Sequence, residues 1–197
     1  MSDTALVILA AGSSSRLGRS KQLLAFQNAT LVERIVAEAV AAEFLTIVVT
    51  GSNAEEVSLA LKNKEVTIVY NFNWQEGMAT GIVAGVIKAL ELNRQLQNII
   101  AAVCDQPFVT AELFKELQNI KAKTGKGIVA CAYADTIGTP VLFDHNYFNS
   151  LKELKGNDGA KSLLKMFKHD VATVSFPKGS IDIDTEEDYN NLLKHEP

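Results

Sequence analysis

Short apolar segments alternate with segments of helical periodicity along the chain, and this alternation restricts the fold more than any other feature. The apolar segments are continuous and rich in β-branched and aliphatic residues, which is typical of strands buried on both faces of a sheet. They lie at residues 5–10, 44–50, 66–70, 98–103 and 127–132, with a last one at 171–175. This order predicts a three-layer α/β fold with a mainly parallel central sheet.

The helical segments between these strands carry recognisable start signals. Thr30 and Glu33 have the spacing of a capping box, in which a hydroxyl and a carboxylate satisfy free backbone amides, and an amphipathic pattern follows. Further helices are predicted at residues 54–62, 78–92, 110–123, 159–168 and 186–194. Residues 138–140 are interpreted as an ordinary turn. No repeat or linker-like tract divides the chain, so we expect residues 1–197 to form one domain.

Composition and charge exclude several classes of protein. A formal net charge of -4 argues against a nucleic-acid binder that uses a broad basic face. Residues 1–4 carry no basic charge and the apolar run 39–50 is interrupted by Glu43, so neither a signal peptide nor a membrane span is predicted. We expect a cytoplasmic protein. Cys104 and Cys131 form no paired motif and are predicted to be reduced core thiols.

The segment after the first predicted strand has the composition of an anion-binding loop. It reads Leu-Ala-Ala-Gly-Ser-Ser-Ser-Arg-Leu-Gly-Arg-Ser-Lys over residues 9–21. Gly12 allows close approach of a ligand, the serines at 13–15 expose amides and hydroxyls suited to phosphate oxygens, and Arg16 and Lys21 add positive charge. The spacing is neither that of a Walker A loop nor GxGxxG. The alternative interpretation is a solvated turn between strand and helix.

Two acidic segments are candidates for a metal site. Asp105 follows the apolar strand 98–103, and Asp182 and Asp184 lie on one side of the chain if that stretch is extended. Magnesium (Mg2+) prefers hard oxygen ligands and commonly takes one or two protein carboxylates beside substrate phosphates. The alternatives are an aspartate that satisfies loop amides and a solvated acidic face. Thr185 is predicted to cap the last helix.

Together these segments resemble the MobA-like nucleotidyltransferases, and in particular the molybdenum cofactor cytidylyltransferase branch. Residues 9–21 are similar to the LAAGxSxRxGxxK signature of that family, Cys-Asp-Gln-Pro at 104–107 to its metal-aspartate motif, and Asp-Ile-Asp-Thr at 182–185 to its C-terminal acidic motif. The resemblance runs from residue 6 to about residue 188. It implies a Rossmann-like, GT-A-like nucleotidyltransferase fold.

Three further segments resemble the family with departures. Residues 71–78 are similar to an NxxWxxGM motif, residues 138–143 to GxPxxF, and residues 156–161 to GDxGAR. The chain has Ala-Thr-Gly at 79–81 where family members commonly carry serines, Thr139 in place of a histidine, and Lys161 in place of an arginine. These changes fall on the side of the acceptor substrate. Interpreted without the family, Trp74 and Met78 are core residues.

The resemblance implies transfer of a nucleoside monophosphate from a nucleoside triphosphate, with Mg2+, to a phosphate-bearing acceptor. CTP and a molybdopterin-type acceptor are preferred, with a molybdenum enzyme as client for the product. The implied roles are catalysis by Arg16, Lys21 and Asp105; nucleotide binding by Leu9, Ala10, Ala11, Gly12, Ser13, Ser14, Ser15, Arg16, Lys21, Gly77 and Thr80; metal binding by Asp105, Asp182 and Asp184; and acceptor binding by Gly138, Pro140, Asp158, Gly159 and Lys161.

The sequence leaves alternatives for the nucleotide base and for the acceptor substrate. Ala-Ala-Gly at 10–12 is similar to the cytidylyl branch, whereas guanylyltransferases of the family usually carry two glycines there. A related enzyme could use GTP or another nucleotide, or a sugar phosphate as acceptor. A different class is a nucleotide-binding accessory module of a molybdenum hydroxylase that does not turn over.

Overall fold

The computed structural model of the protein describes residues 2–14 and 17–194. Strands and helices alternate through most of this length, as predicted. In chain order they are β1 (Thr4–Ala10), β2 (Ala25–Phe26), β3 (Ala29–Thr30), α1 (Leu31–Ala41), β4 (Leu45–Thr50), α2 (Ala54–Ala60), β5 (Thr67–Tyr70), α3 (Met78–Leu92), β6 (Asn98–Val103), α4 (Ala111–Thr124), β7 (Ile128–Tyr133), β8 (Thr136–Asp144), α5 (Phe148–Lys152), α6 (Ala160–Met166), β9 (Val171–Ser175) and α7 (Glu186–Leu193).

The main sheet has the strand order β5-β4-β1-β6-β8-β7-β9 in the described residues. Strand β1 pairs in parallel with β4 and β6, β4 with β5, and β7 with β9, whereas β8 is antiparallel to both of its neighbours. The prediction of a mainly parallel sheet is therefore confirmed. Because β1 and β6 run in the same direction, the loops that follow them open on the same edge.

Helices cover both faces of this sheet. Leu6 and Ile8 of β1 belong to a buried cluster with side chains of α1 and α4, while Val7 belongs to another with side chains of α3 and α6. This division follows from the alternation of side chains along a strand. At Gly85 of α3 an added Cβ would collide with Val7, so the helix packs closely on the sheet. The three-layer prediction is confirmed.

The interpretation of residues 138–140 as a turn is wrong, because they lie inside β8. The ladder with β6 reaches only Val141, and the ladder with β7 passes from Gly138 to Val141 across an irregularity. Pro140, which has no amide hydrogen to donate, occupies the part of the strand that this irregularity leaves unpaired. The Thr139–Pro140 peptide bond is cis.

The remaining predictions from composition concern the cysteines and the membrane. Cys104 and Cys131 are both free and buried, as predicted. Burial raises the pKa of each thiol to about 12. In the described part of the chain, no helix is long and apolar enough to cross a membrane.

The capping box at the start of α1 is present and makes a testable contribution to stability. The Glu33 amide donates to the Thr30 hydroxyl (3.3 Å), and the Glu33 carboxylate accepts from the Thr30 amide (2.8 Å). We expect Thr30→Ala to lower the free energy of unfolding by about 1 kcal/mol at pH 7, measured by urea denaturation.

The pH dependence gives a second readout of the same box. The hydrogen bonds from Thr30 lower the pKa of Glu33 from 4.5. A carboxyl whose pKa is lowered by folding stabilises the fold above its unfolded pKa, and that contribution is lost as the pH falls through its folded pKa. Thr30→Ala removes the hydroxyl but keeps the backbone amide, so the part of its deficit due to the hydroxyl bond to the carboxylate should shrink as the pH falls below the ordinary 4.5. A deficit that grows on acidification would contradict this account.

Candidate active site

Three polar segments meet at the edge of the sheet where β1 and β6 end. Lys21, from the segment after β1, places its Nζ 2.5 Å from an oxygen of Asp105, which follows β6. The same Nζ lies 3.0 Å from Asp184, which precedes α7. The three segments therefore meet at the ammonium group of Lys21.

The Asp105 and Asp184 carboxylates stabilise the charged form of Lys21. Burial opposes that charge, but the neighbouring Asp105 carboxylate and the hydrogen bonds to Asp105 and Asp184 outweigh it, so the pKa of Lys21 is raised above its ordinary 10.5. Its side chain is 17% exposed and that of Asp105 is 16% exposed. Lys21 thus lies against the carboxylates here, whereas the family resemblance assigns it to the triphosphate.

Asp182 extends the acidic cluster. Burial, and then the charges of Asp105 and Asp184, raise the pKa of the Asp182 carboxyl above its ordinary 3.8. Between the two aspartates Ile183 is fully buried, in a small cluster that also contains Phe26 and Leu192 of α7. This buried anchor leaves both aspartates on the wall of one cavity.

The loop after β1 is organised by Gln22, which sequence reasoning missed. Gln22 is 1% exposed, and its Nε2 donates to the carbonyl oxygens of Ala10 (3.1 Å) and Gly12 (2.8 Å). The Lys21 amide donates to the hydroxyl of Ser14 (3.0 Å). These bonds fold the loop back on itself. The predicted ligands Ser15 and Arg16 lie outside the described residues.

A cavity of about 410 Å³ lies beside this loop. Its wall includes the predicted nucleotide-binding residues Leu9, Ala11, Gly12, Ser13, Lys21 and Gly77, together with Asn71, Trp74, Met78 and Asn157, which were not assigned that role. Thr80 is not part of the wall. Its hydroxyl accepts from the Asn71 side chain (2.8 Å) and donates to the Gly77 carbonyl (2.9 Å), so Thr80 supports two residues of the wall. We call this space the nucleotide-side cavity.

A second cavity, of about 600 Å³, lies on the other side of the cluster. We call it the acceptor-side cavity. Both cavities share Lys21, Met78, Val103 and Asp105. The prediction that Met78 is a core residue is wrong, since it is 50% exposed between the two cavities.

Of the predicted acceptor residues, Lys161 lines the acceptor-side cavity. The other four predicted acceptor residues do not line this cavity. Gly138 lies against Tyr133 of the wall, Gly159 lies against Met78, Pro140 is buried in β8, and Asp158 is exposed with its amide bonded to the Lys155 carbonyl. Tyr133 and Gln106 also line this cavity but were not predicted, although Gln106 directly follows Asp105 in the sequence.

The arrangement is suited to a reaction between two phosphate-bearing substrates. The two cavities meet at Lys21 and Asp105, Asp184 lies beside them in the acceptor-side cavity, and an amide-rich loop borders the nucleotide-side cavity. A lysine ammonium beside carboxylates, which are suitable ligands for a metal ion, can stabilise the negative charge on a transferred phosphorus centre. Fold and site together define the class of nucleotide-binding transferases.

Comparison with known proteins places the chain within that class. The family model for the MobA-like NTP transferase domain matches residues 6–173, and the chain belongs to this family. The chain is 23% identical over 190 residues to the molybdenum cofactor cytidylyltransferase of Escherichia coli K12, covering 96% of this chain and 95% of that protein. It is therefore a nucleotidyltransferase of the MobA-like family.

Solved structures of similar proteins share the fold. A nucleotidyl transferase from Methanothermobacter thermautotroptrophicus (Mth528) superposes with a TM-score of 0.81 at 26% identity, covering 98% of this chain and 96% of that one. Rv0371C from Mycobacterium tuberculosis, in a complex with manganese, gives a TM-score of 0.74 at 27% identity, covering 98% of this chain and 99% of that one.

Proposed function

We propose that the protein transfers CMP from CTP to a molybdopterin-type acceptor and releases pyrophosphate, in a Mg2+-dependent reaction whose product goes to a molybdenum enzyme. The observation that carries this proposal is the position of Lys21 and Asp105 where the two cavities meet, with Asp184 bonded to Lys21 on the acceptor side. The similarity to a cytidylyltransferase supports the choice of CTP and acceptor.

The carboxylates at this point suit a divalent cation. Asp105 and Asp184 already share one cationic group, the Lys21 ammonium, and burial together with their negative charges raises the pKa of Asp182. Among the described residues no cluster of three or more His, Cys, Asp or Glu side chains is arranged as a metal site. Mg2+ needs few protein carboxylates when substrate phosphates supply the other ligands. We assign Asp105 and Asp184 to the ion, with Asp182 beside them; bound there, Mg2+ would neutralise phosphate charge.

The chemistry requires no general base. An acceptor phosphate oxygen, already anionic at neutral pH, attacks the α-phosphorus of CTP. A new phosphorus–oxygen bond forms while the bond from the α-phosphorus to the α,β-bridging oxygen breaks, and the electron pair leaves with pyrophosphate. The protein must therefore align the reactants and neutralise charge. In this scheme the amides after Gly12 and the charge of Lys21 face the triphosphate, together with Arg16, as the resemblance implies.

The preference for cytosine rests on Ala11 and on the resemblance. Ala11 lines the nucleotide-side cavity, and a Cβ added at Gly51 would press on both its carbonyl oxygen and its methyl group. The backbone around Ala11 is thus closely packed, and its methyl group narrows the space available to a base. A smaller residue at this position would widen it.

A substrate panel tests the proposal. Pyrophosphate release should be fastest with CTP and molybdopterin when CTP, GTP, ATP and UTP are each combined with molybdopterin or glucose 1-phosphate. Ala11→Gly should raise the rate with GTP relative to CTP. Preference for GTP or for the sugar phosphate would replace the substrate assignment. Binding of CTP and molybdopterin without pyrophosphate release at saturating Mg2+ would instead indicate an accessory module.

A further inference from the structure

The side chain of Tyr133 is held in the wall of the acceptor-side cavity by two glycines. A Cβ at Gly138 would collide with the Tyr133 hydroxyl, and a Cβ at Gly179 would collide with its ring. The ring also packs edge-to-face on Phe176, with 6.3 Å between centroids and 88° between planes. Backbone approaches from both sides therefore fix the position of the hydroxyl, since any side chain at either glycine would displace it.

The hydroxyl belongs to a polar group that is incomplete within the described residues. It lies against the side chains of Thr139 and Gln106. Gln106 is 4% exposed, and its Nε2 donates to the Gly179 carbonyl (2.8 Å), which fixes the orientation of the amide. Its Oε1 has no hydrogen-bond partner in the described part of the chain. A buried acceptor without a donor is uncommon in folded proteins, and it is satisfied by an N–H or O–H group of water or of a ligand, not by a phosphate oxygen.

A cation lies beside this group. The Cε of Lys161 is close to the same face of Gly138 that the Tyr133 hydroxyl approaches. The Lys161 side chain is exposed to the cavity, and no carboxylate of residues 2–14 or 17–194 forms an ion pair with it. Lys21, at the other end of the cavity, is by contrast held by Asp105 and Asp184. Lys161 is thus the cation available to an anionic group at the Tyr133 end.

We propose that Tyr133, Thr139 and Lys161 form a subsite for the phosphomonoester of the acceptor substrate. This inference rests on the proposed function and names the residues that select its second substrate. Two hydroxyl donors and one ammonium suit a phosphate dianion, which has several acceptor oxygens. Neutral hydroxyl donors orient the phosphate while removing little of the negative charge that makes its oxygen a nucleophile. Gly138, which stands behind the wall, acts by leaving room for the Tyr133 hydroxyl.

Binding of phenyl phosphate tests the subsite without requiring turnover. The probe is titrated by calorimetry into the full-length protein loaded with Mg2+ and α,β-methylene-CTP, with phenol as the control for binding through the ring alone. We expect Tyr133→Phe and Lys161→Gln each to weaken phenyl phosphate about tenfold, as for the loss of one hydrogen bond to a charged group. The affinity for α,β-methylene-CTP should not change.

Tyr147→Phe is the matched control. Tyr147 also carries a hydrogen-bonded hydroxyl, 2.6 Å from Asp170, but it lines neither cavity. It should bind phenyl phosphate as the wild type does. Wild-type affinity in Tyr133→Phe would overturn the proposal, as would equal weakening of phenyl phosphate and nucleotide, or failure of the wild type to bind the probe. Absence of pyrophosphate release from every substrate pair would refute the proposed function alone, because the titration measures the subsite independently.

Discussion

Lys21→Met should lower turnover with CTP and Mg2+ by about 10² to 10³-fold, as expected when one charged donor to a transition state is removed. Methionine keeps much of the length of the lysine side chain and removes its charge. The loss should appear in kcat, because the charge that develops on the leaving pyrophosphate exceeds that of the bound triphosphate near Lys21. Single-turnover measurement of pyrophosphate release separates this step from product release.

The same substitution should change the response of stability to metal. Lys21 contacts both Asp105 and Asp184, so its removal takes one positive charge away from these carboxylates and from nearby Asp182 in a partly buried site. Lys21→Met should therefore unfold at a lower temperature than the wild type in EDTA. Saturating Mg2+ should raise the Tm of the variant more than that of the wild type, because the ion supplies the missing positive charge.

Lys88→Met provides the control for loss of a lysine. Lys88 forms an ion pair with Glu91 at 3.1 Å, but the two side chains are 36% and 58% exposed, and such surface pairs contribute little. It should show wild-type turnover and the wild-type response to Mg2+. Normal turnover in Lys21→Met would refute the catalytic role of Lys21, and an unchanged Mg2+ response would refute its role as counter-ion of the carboxylates.

The parts of the fold that were predicted correctly are those that local chemistry determines. β6 was predicted at its observed bounds because a strand buried on both faces is a continuous apolar run. The cap of α1 followed from Thr30 and Glu33, which bond within one turn. β8 was missed because Gly138 and Pro140 are typical of turns, and only the pairing with β7 reveals that they interrupt a strand without ending it.

The residues of the candidate site were likewise predicted where the local sequence carries a signal and missed where it does not. Lys21, Asp105 and Asp184 were singled out because glycine, serine and acidic residues follow apolar strands there, and the structure brings their charged groups together. That Lys21 neutralises the carboxylates could not be predicted, since the contact joins residues 163 positions apart. Gln22 and Tyr133 had no local signal, because Gln22 binds carbonyls ten and twelve residues before it and Tyr133 depends on Gly138 and Gly179.

Gly77→Ala should lower the free energy of unfolding more than an alanine substitution at the other glycines of the site. Gly77 has φ of 116° and ψ of 178°, a conformation essentially restricted to glycine, just before α3. An added Cβ would collide with the carbonyl oxygen of Gly156 and lie 2.6 Å from Oδ1 of Asn157. The Gly156 carbonyl also accepts from the Ala79 amide at 3.1 Å. We expect a loss of roughly 3 kcal/mol in the free energy of unfolding, from backbone strain and displacement of this segment.

Nucleotide affinity should fall together with stability, because Asn157 and Met78 line the nucleotide-side cavity on either side of this contact. Gly125→Ala separates the two causes. Gly125 has φ of 67°, but a Cβ there would meet nothing within 4 Å, so only backbone strain of about 1 kcal/mol is expected and CTP binding should not change. Urea denaturation and CTP titration of both variants measure the difference. Equal losses of stability, or normal CTP affinity in Gly77→Ala, would show that close contact between Gly77 and Gly156 is not what shapes the cavity.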